Sequence, residues 1–323
     1  MRRLLTALAI LFALTAAGVF LSHAPDRSVE SLQPQFAPPP SQFILVDGMQ
    51  VHLRDEGVRD DPLPILLLHG TSASLHTWEG WVAALAPTRR VIRIDLPGFG
   101  LTGPNPSGDY AAQGYVQHVA RVLDRLGVER AVWVGNSFGG QVAWMAAILM
   151  PERVGALILI DAAGYPFVPE SIPLGFRLAR DPNMAPIVRS LLPRFIVANS
   201  VRETYGDPAK VTDATIDVYY ALALREGNRQ ALIDRFAQGL ATHGAMSERI
   251  PEIRAPTLIL WGGKDRLIPA DNGERFHTDI VGSELEVFPG LGHIPHEEDP
   301  VATVARAKTF LASLQMVQQS PGG

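Results

Sequence analysis

The chain has 323 residues, of which 47% are hydrophobic and 19% charged, with a formal net charge of −5 and no cysteine. That length and apolar fraction suit one large α/β domain, or such a domain with an insertion, and give it ample core. The mild charge balance, with neither a basic patch nor a long like-charge run, speaks against nucleic acid as a partner, and the lack of cysteine excludes disulfides, thiolate metal sites, a cysteine nucleophile and a lipidated N-terminal cysteine.

Arg2 and Arg3 precede an uncharged apolar run from Leu4 to Leu21. Its length sits at the lower limit for spanning a bilayer. Residues 1–24 read as an uncleaved membrane anchor, with a cleaved signal peptide as the alternative, since Thr15-Ala16-Ala17 and Ser22-His23-Ala24 offer small residues for a cut. In both readings the arginines stay cytoplasmic and the rest is exported. Residues 25–40 carry Pro34, Pro38, Pro39 and Pro40 and read as an extended, Pro-rich linker with no helix.

The folded part begins near Ser41. Gln42–Val46 and Met49–Leu53 flank Asp47-Gly48, a β-hairpin signal. Ile65–Leu68 is a buried strand ending in His69-Gly70-Thr71, and Thr77–Leu85 reads as a helix. Val91–Ile94 is the next strand, then a turn-rich loop from Asp95 to Gly100, then a helix over Tyr110–Leu126. Ala131–Val134 is a short apolar, β-branched strand, and Gln141–Met150 has helical composition and stops at Pro151. Between them lies Gly135-Asn136-Ser137-Phe138-Gly139, a sharp strand-to-helix turn in which a Cβ on the flanking glycines would meet the crossing backbone. Ala156–Ile160 is another buried strand. From Tyr165 to Arg249 the alternation breaks: Thr215–Arg225 and Arg229–Leu240 look helical, and no buried strand stands out. Alternation resumes with Thr257–Trp261, Leu285–Phe288 and a helix over Val301–Leu314, before a frayed tail at 315–323. Continuous apolar strands alternating with helices mean a mostly parallel sheet covered on both faces.

Four stretches carry a resemblance: His69-Gly70-Thr71, Gly135–Gly139, Trp261-Gly-Gly-Lys-Asp265 and Gly290-Leu-Gly-His293. From Ser41 to Leu314 the chain resembles the α/β-hydrolases with an inserted cap. The resemblance implies an α/β fold with a mainly eight-stranded sheet, a core of residues 41–164 and 250–314, and a helical cap at 165–249. It implies Ser137 as nucleophile, His293 as base and Asp265 as acid, with Thr71 and Phe138 supplying backbone N–H groups to an oxyanion hole. His69, Gly70, Gly135 and Gly139 would support those loops.

The residue types fit the chemistry. A serine hydroxyl needs a base within hydrogen-bond reach, and histidine titrates near neutrality. An acid must fix the tautomer of that histidine and stabilise the imidazolium. Asp161, which also ends a strand, is the alternative acid; His296 is a rival base but reads better as a solvated loop residue, and Asp95 as a loop-capping carboxylate. No H-E-x-x-H or similar spacing suggests a metal, and no cofactor is implied. The elbow serine argues against dehalogenases and epoxide hydrolases of this fold, which use aspartate there. Carboxylic-ester hydrolysis on a small-molecule substrate with an apolar acyl group is the main expectation, with Leu191, Leu192, Phe195, Ile196, Tyr219 and Tyr220 as candidate pocket wall. Carbon–carbon bond hydrolysis of a vinylogous diketone is the alternative, although Ile294 stands where those hydrolases often carry an aromatic after the histidine. A cofactor-free haloperoxidase would share the same triad. A non-catalytic binding protein on the same scaffold is the reading from a different class.

Overall fold

The computed structural model describes Thr6, residues 23–241, 244 and 246–319, with backbone only at 240, 241 and 315–319. In chain order the elements are α1 (Val29–Phe36), β1 (Ser41–Val46), β2 (Met49–Gly57), β3 (Ile65–Leu68), α2 (Glu79–Leu85), β4 (Arg90–Ile94), α3 (Ala112–Arg125), β5 (Ala131–Asn136), α4 (Phe138–Leu149) and β6 (Val154–Ile160). Then come α5 (Leu174–Arg180), α6 (Ala185–Ser190), α7 (Arg194–Thr204), α8 (Asp213–Ala223), α9 (Asn228–Ala241), β7 (Thr257–Gly262), α10 (Asp271–Asp279), β8 (Glu284–Phe288), α11 (Pro295–Glu298) and α12 (Pro300–Gln319).

The eight strands form one sheet in the order β1-β2-β4-β3-β5-β6-β7-β8. β2 pairs antiparallel with β1 and β4, and every other pairing is parallel. The β1–β2 turn forms where Asp47-Gly48 places it, with both residues at positive φ (53° and 79°). The central strands are apolar throughout because both faces are covered, and alternate residues feed two separate cores. Leu66, Leu68, Trp133, Leu157, Leu159, Ile259 and Trp261 belong to one core, which includes Val116, Val119 and Leu123 of α3 and Phe276 of α10. Ile65, Leu67, Val132, Val134, Ile158, Ile160, Leu258 and Leu260 belong to the other, with Trp81 and Leu85 of α2 and Phe310 and Leu311 of α12. Truncating any of these side chains to alanine would cost about 2–5 kcal/mol.

The segment between β6 and β7 is helical, α5 to α9, and contains no strand among the described residues. It lies over the edge of the sheet at which β3, β5, β6 and β7 end. His293 N–H donates to Thr204 O (2.7 Å), and Glu298 accepts from the N–H groups of Gly206, Asp207 and Gly292 (2.8–2.9 Å), so the helical layer is tied to the loop after β8.

Two expectations need correction. Residues 25–40 are not a helix-free spacer, because Val29–Phe36 is helical despite Pro34. Ser28 caps its N-terminus through a bond to Ser31 N–H, and Leu32 and Phe36, one turn apart, are buried against the body of the protein. Capping and tertiary packing outweigh the one backbone bond that proline removes. The tail does not fray at 315, since the backbone of α12 is helical to Gln319. The apolar run from Leu4 to Leu21, expected to anchor the chain, lies outside the described residues except for Thr6; among those described, no helix is long and apolar enough to cross a membrane.

Candidate active site

β5 ends at Asn136 and α4 begins at Phe138, leaving Ser137 to make the whole turn. It does so at φ 54° and ψ −115°, a conformation that costs a non-glycine residue about 1–3 kcal/mol and persists only where the surroundings impose it. They do impose it. Ser137 N–H donates to Ile160 O (2.9 Å), and Ser137 O accepts from the N–H groups of Gln141 (3.1 Å) and Ala163 (3.0 Å). Gly135 and Gly139 are required by close approach: a Cβ on Gly135 would lie 2.2 Å from Gly139 O, and one on Gly139 would lie 2.2 Å from Leu68 O.

Asp265 lies in the turn after β7, buried. Its Oδ1 accepts from the N–H groups of Leu267 (2.8 Å) and Ile268 (2.9 Å), and its Oδ2 accepts from His293 Nδ1 at 2.6 Å. That bond commits the proton to Nδ1 and leaves Nε2 available to the cavity that His293 and Ser137 both line. The backbone of His293 is fixed at both ends. Its N–H meets Thr204 O, and its carbonyl accepts from Asn136 Nδ2 (2.9 Å), which ties the histidine loop to the residue before the nucleophile.

The alternative acid is in the same place. Asp161, at the end of β6 with φ 45°, is fully buried, and acceptor atoms of Asp161, Asp265 and His293 lie within 4.8 Å of one another. Asp161 Oδ1 accepts from Gly262 N–H (2.9 Å), so it braces the start of the Asp265 turn. Burial, and then the neighbouring charge of Asp265, push its carboxyl well above the ordinary value of 3.8. Asp161 is thus disfavoured as a charged partner for the imidazole, and it is Asp265 that accepts from it. Among the described residues these three are the only His/Asp/Glu group close enough to hold a metal.

The remaining candidates are elsewhere. His296 is not solvated, as expected, but buried: it stacks on Trp78 at 4.2 Å between ring centroids, its Nε2 lies 3.2 Å from Thr77 Oγ1, and burial, with His293 nearby, lowers its pKa to about 3. His69 accepts from Leu96 N–H through Nε2 (2.9 Å) and donates from Nδ1 to Gly70 O (2.7 Å), which shapes the loop carrying Thr71; burial lowers its pKa. Asp95 caps its loop by accepting from Leu75 N–H and Leu101 N–H (both 2.8 Å). Burial opposes its ionisation, but His52 at 2.7 Å overrides that, and the net shift is downward. Phe138 is the first residue of α4, where backbone N–H groups have no partner within the helix, and Thr71 lines the cavity beside Ser137.

The cavity has two branches that share Thr71, Ser137 and Phe176. The first runs beneath the helical layer and is mainly apolar. Of the six side chains expected in its wall, Leu192, Ile196 and Tyr219 line it, joined by Val188, Val197 and Ile294. Leu191 and Tyr220 are absent from that wall, and Phe195 faces solvent at 61% exposure. The second branch carries Gln141, Arg180 and Arg235, none of which the sequence marked. Asn136 and Glu298, which hold the histidine loop, were missed as well; Asn136 was visible only as the x of G-x-S-x-G.

The model of the alpha/beta hydrolase fold matches residues 64–300, and the chain belongs to that family. The chain is 30% identical over 279 residues, 84% of its length and 96% of the relative's, to a 2-hydroxy-6-oxo-2,4-heptadienoate hydrolase of Pseudomonas putida. A solved meta-cleavage product hydrolase from Pseudomonas fluorescens superimposes with TM-score 0.73 at 26% identity, over 84% of this chain and 97% of that one. A solved bacterial membrane phospholipase A superimposes with TM-score 0.74 at 25% identity, over 98% of this chain and 99% of that one. By their names, the similar enzymes favour the carbon–carbon alternative over the ester expectation.

Proposed function

We propose that this hydrolase cleaves a carboxylic ester with an apolar acyl chain, using Ser137, His293 and Asp265. His293 Nε2 takes the Ser137 proton as Oγ attacks the carbonyl, and Asp265 stabilises the imidazolium. The tetrahedral oxyanion meets the N–H groups of Thr71 and Phe138. His293 then protonates the departing alcohol, and the acyl-enzyme is hydrolysed by water activated in the same way. Asp161 positions the acid turn through Gly262 N–H.

The observation that carries the ester reading is the apolar branch that opens on Ser137, a form suited to a hydrocarbon chain. The likeness to a membrane phospholipase A over nearly the whole chain supports it, and supports too an exported domain tethered by residues 1–24. A second reading, carbon–carbon hydrolysis of a vinylogous diketone, is favoured by the named relatives at 30% identity. Ile294 in the cavity wall, directly after the histidine, weighs against it. The test is a panel of p-nitrophenyl esters of increasing chain length run beside a 2-hydroxy-6-oxo-dienoate. The ester reading requires kcat/KM to rise with chain length and to exceed that for the dienoate; the opposite order establishes the second reading. Fractionation of expressing cells tests the tether, which predicts the protein in the membrane fraction and is contradicted by a soluble cytoplasmic protein with an intact N-terminus.

A further inference from the structure

The two cavity branches that meet at Ser137 differ in kind. The apolar branch contains one arginine and the second branch two, and among the described residues only that of the apolar branch has a counter-ion. Arg229, in the first turn of α9 at the wall of the apolar branch, is paired with Asp26 at 2.6 Å. Arg235, further along the same helix, lines the second branch and forms no ion pair among the described residues, nor does Arg180 across from it. The guanidinium carbon of Arg235 lies 3.8 Å from the centroid of Phe138 and 5.6 Å from that of Phe236, and that of Arg180 lies 5.3 Å from Phe236. The Nε of Arg235 is buried with no hydrogen-bond partner. Aromatic faces replace only part of the hydration a guanidinium loses, and no carboxylate supplies the rest. Burial pulls the Arg235 pKa down to about 10, with the like charge of Arg180 contributing, so the side chain stays cationic at neutral pH.

We propose that the branch bounded by Arg235 and Arg180 receives an anionic group of the substrate, a phosphate or a carboxylate, while the acyl chain fills the apolar branch. The placement suits a substrate whose scissile carbonyl lies between a hydrocarbon tail and an anion. Phe138 lies under Arg235 and directly follows Ser137, so the anion would sit one side chain away from the reacting carbonyl. Gln141, on the first turn of α4, adds a neutral donor to the same branch. The choice of an anionic ester rests on the ester reading above; the existence of an anion site does not.

Two measurements on the full-length protein separate these. The first compares kcat/KM for 1-octanoylglycerol 3-phosphate with that for 1-octanoylglycerol, in the wild type, Arg235→Met, Arg235→Lys and Arg180→Gln. The ratio of the two cancels any loss common to both substrates. It should fall about 30-fold in Arg235→Met and less in Arg235→Lys, which keeps the charge but not the fork of donors. A ratio unchanged in Arg235→Met overturns the proposal. The second measures octyl phosphate, octanoate and octanol binding to Ser137→Ala by calorimetry, with no turnover involved. Octyl phosphate tighter than octanoate marks phosphate as the source, the reverse marks carboxylate, and either affinity should drop at least about tenfold when Arg235→Met is added. Anion binding that depends on Arg235 without any ester turnover would retain the anion site and remove the ester reading. Equal binding with and without Arg235, or no preference for either anion over octanol, overturns the anion site itself.

Discussion

The ends of β6 and β7 each deliver a buried aspartate to the same histidine loop, and the two differ in how many donors reach them. Asp265 accepts from two backbone N–H groups and the imidazole. Asp161 accepts from a single N–H, that of Gly262, and burial, with the neighbouring charge of Asp265, raises its pKa well above the ordinary value. Both carboxylates end strands on the same edge of the sheet; the one that meets the imidazole is the one with more donors aimed at it.

The largest expected effect on this contrast comes from Asp265→Asn. It keeps the size but removes the charge and can favour the wrong imidazole tautomer, so kcat on an activated ester should fall roughly 10³–10⁴-fold with the fold intact by circular dichroism. Asp161→Asn reproduces the shape and donor of the protonated acid and should cost less than about tenfold. If Asp161→Asn is the inactive variant and Asp265→Asn the active one, the roles assigned to the two carboxylates are reversed.

A smaller effect sharpens the same contrast through stability. Because the folded pKa of Asp161 is raised, its proton contributes stability that is complete below the ordinary value of 3.8 and is lost as pH rises toward the folded value. Asp161→Asn has no proton to lose. The difference in Tm, variant minus wild type, should therefore grow by on the order of a few degrees as pH is raised from about 4 through neutrality. A difference that is flat with pH would mean that Asp161 is ionised in the folded protein.

Most of the sheet was legible because its strands are short apolar runs between strong turn signals. Asp47-Gly48, the glycines around Ser137 and the break at Pro151 each carry a backbone requirement in one or two residues. In the helical layer, α8 and α9 were legible as Thr215–Arg225 and Arg229–Leu240, and α5 to α7 only as an absence of strands. α5 and α6 are short, and their faces are defined by the cavity and by one another rather than by a solvent-facing period. α1 was misread because its stability comes from Leu32 and Phe36 packing against distant parts of the chain, which Pro34 conceals at the local level. In the site, Ser137, His293 and Asp265 sit in recognisable turns. Asn136, Glu298 and Arg235 act across 157, 92 and 97 positions of sequence, toward His293, Gly206 and Phe138, and no local pattern marks such partners. The raised pKa of Asp161 is equally invisible, since it depends on burial and on how near two strand ends come in space.

The claim on which all of this rests is that Ser137 is an activated nucleophile. Wild type and Ser137→Ala, both shown to be folded, can be treated with a fluorophosphonate and weighed intact by mass spectrometry. The account predicts one adduct on the wild type, mapped to the peptide containing Ser137 and accompanied by complete loss of ester turnover, with none on the variant. An unlabelled, folded wild type, or equal labelling of the variant, would contradict it.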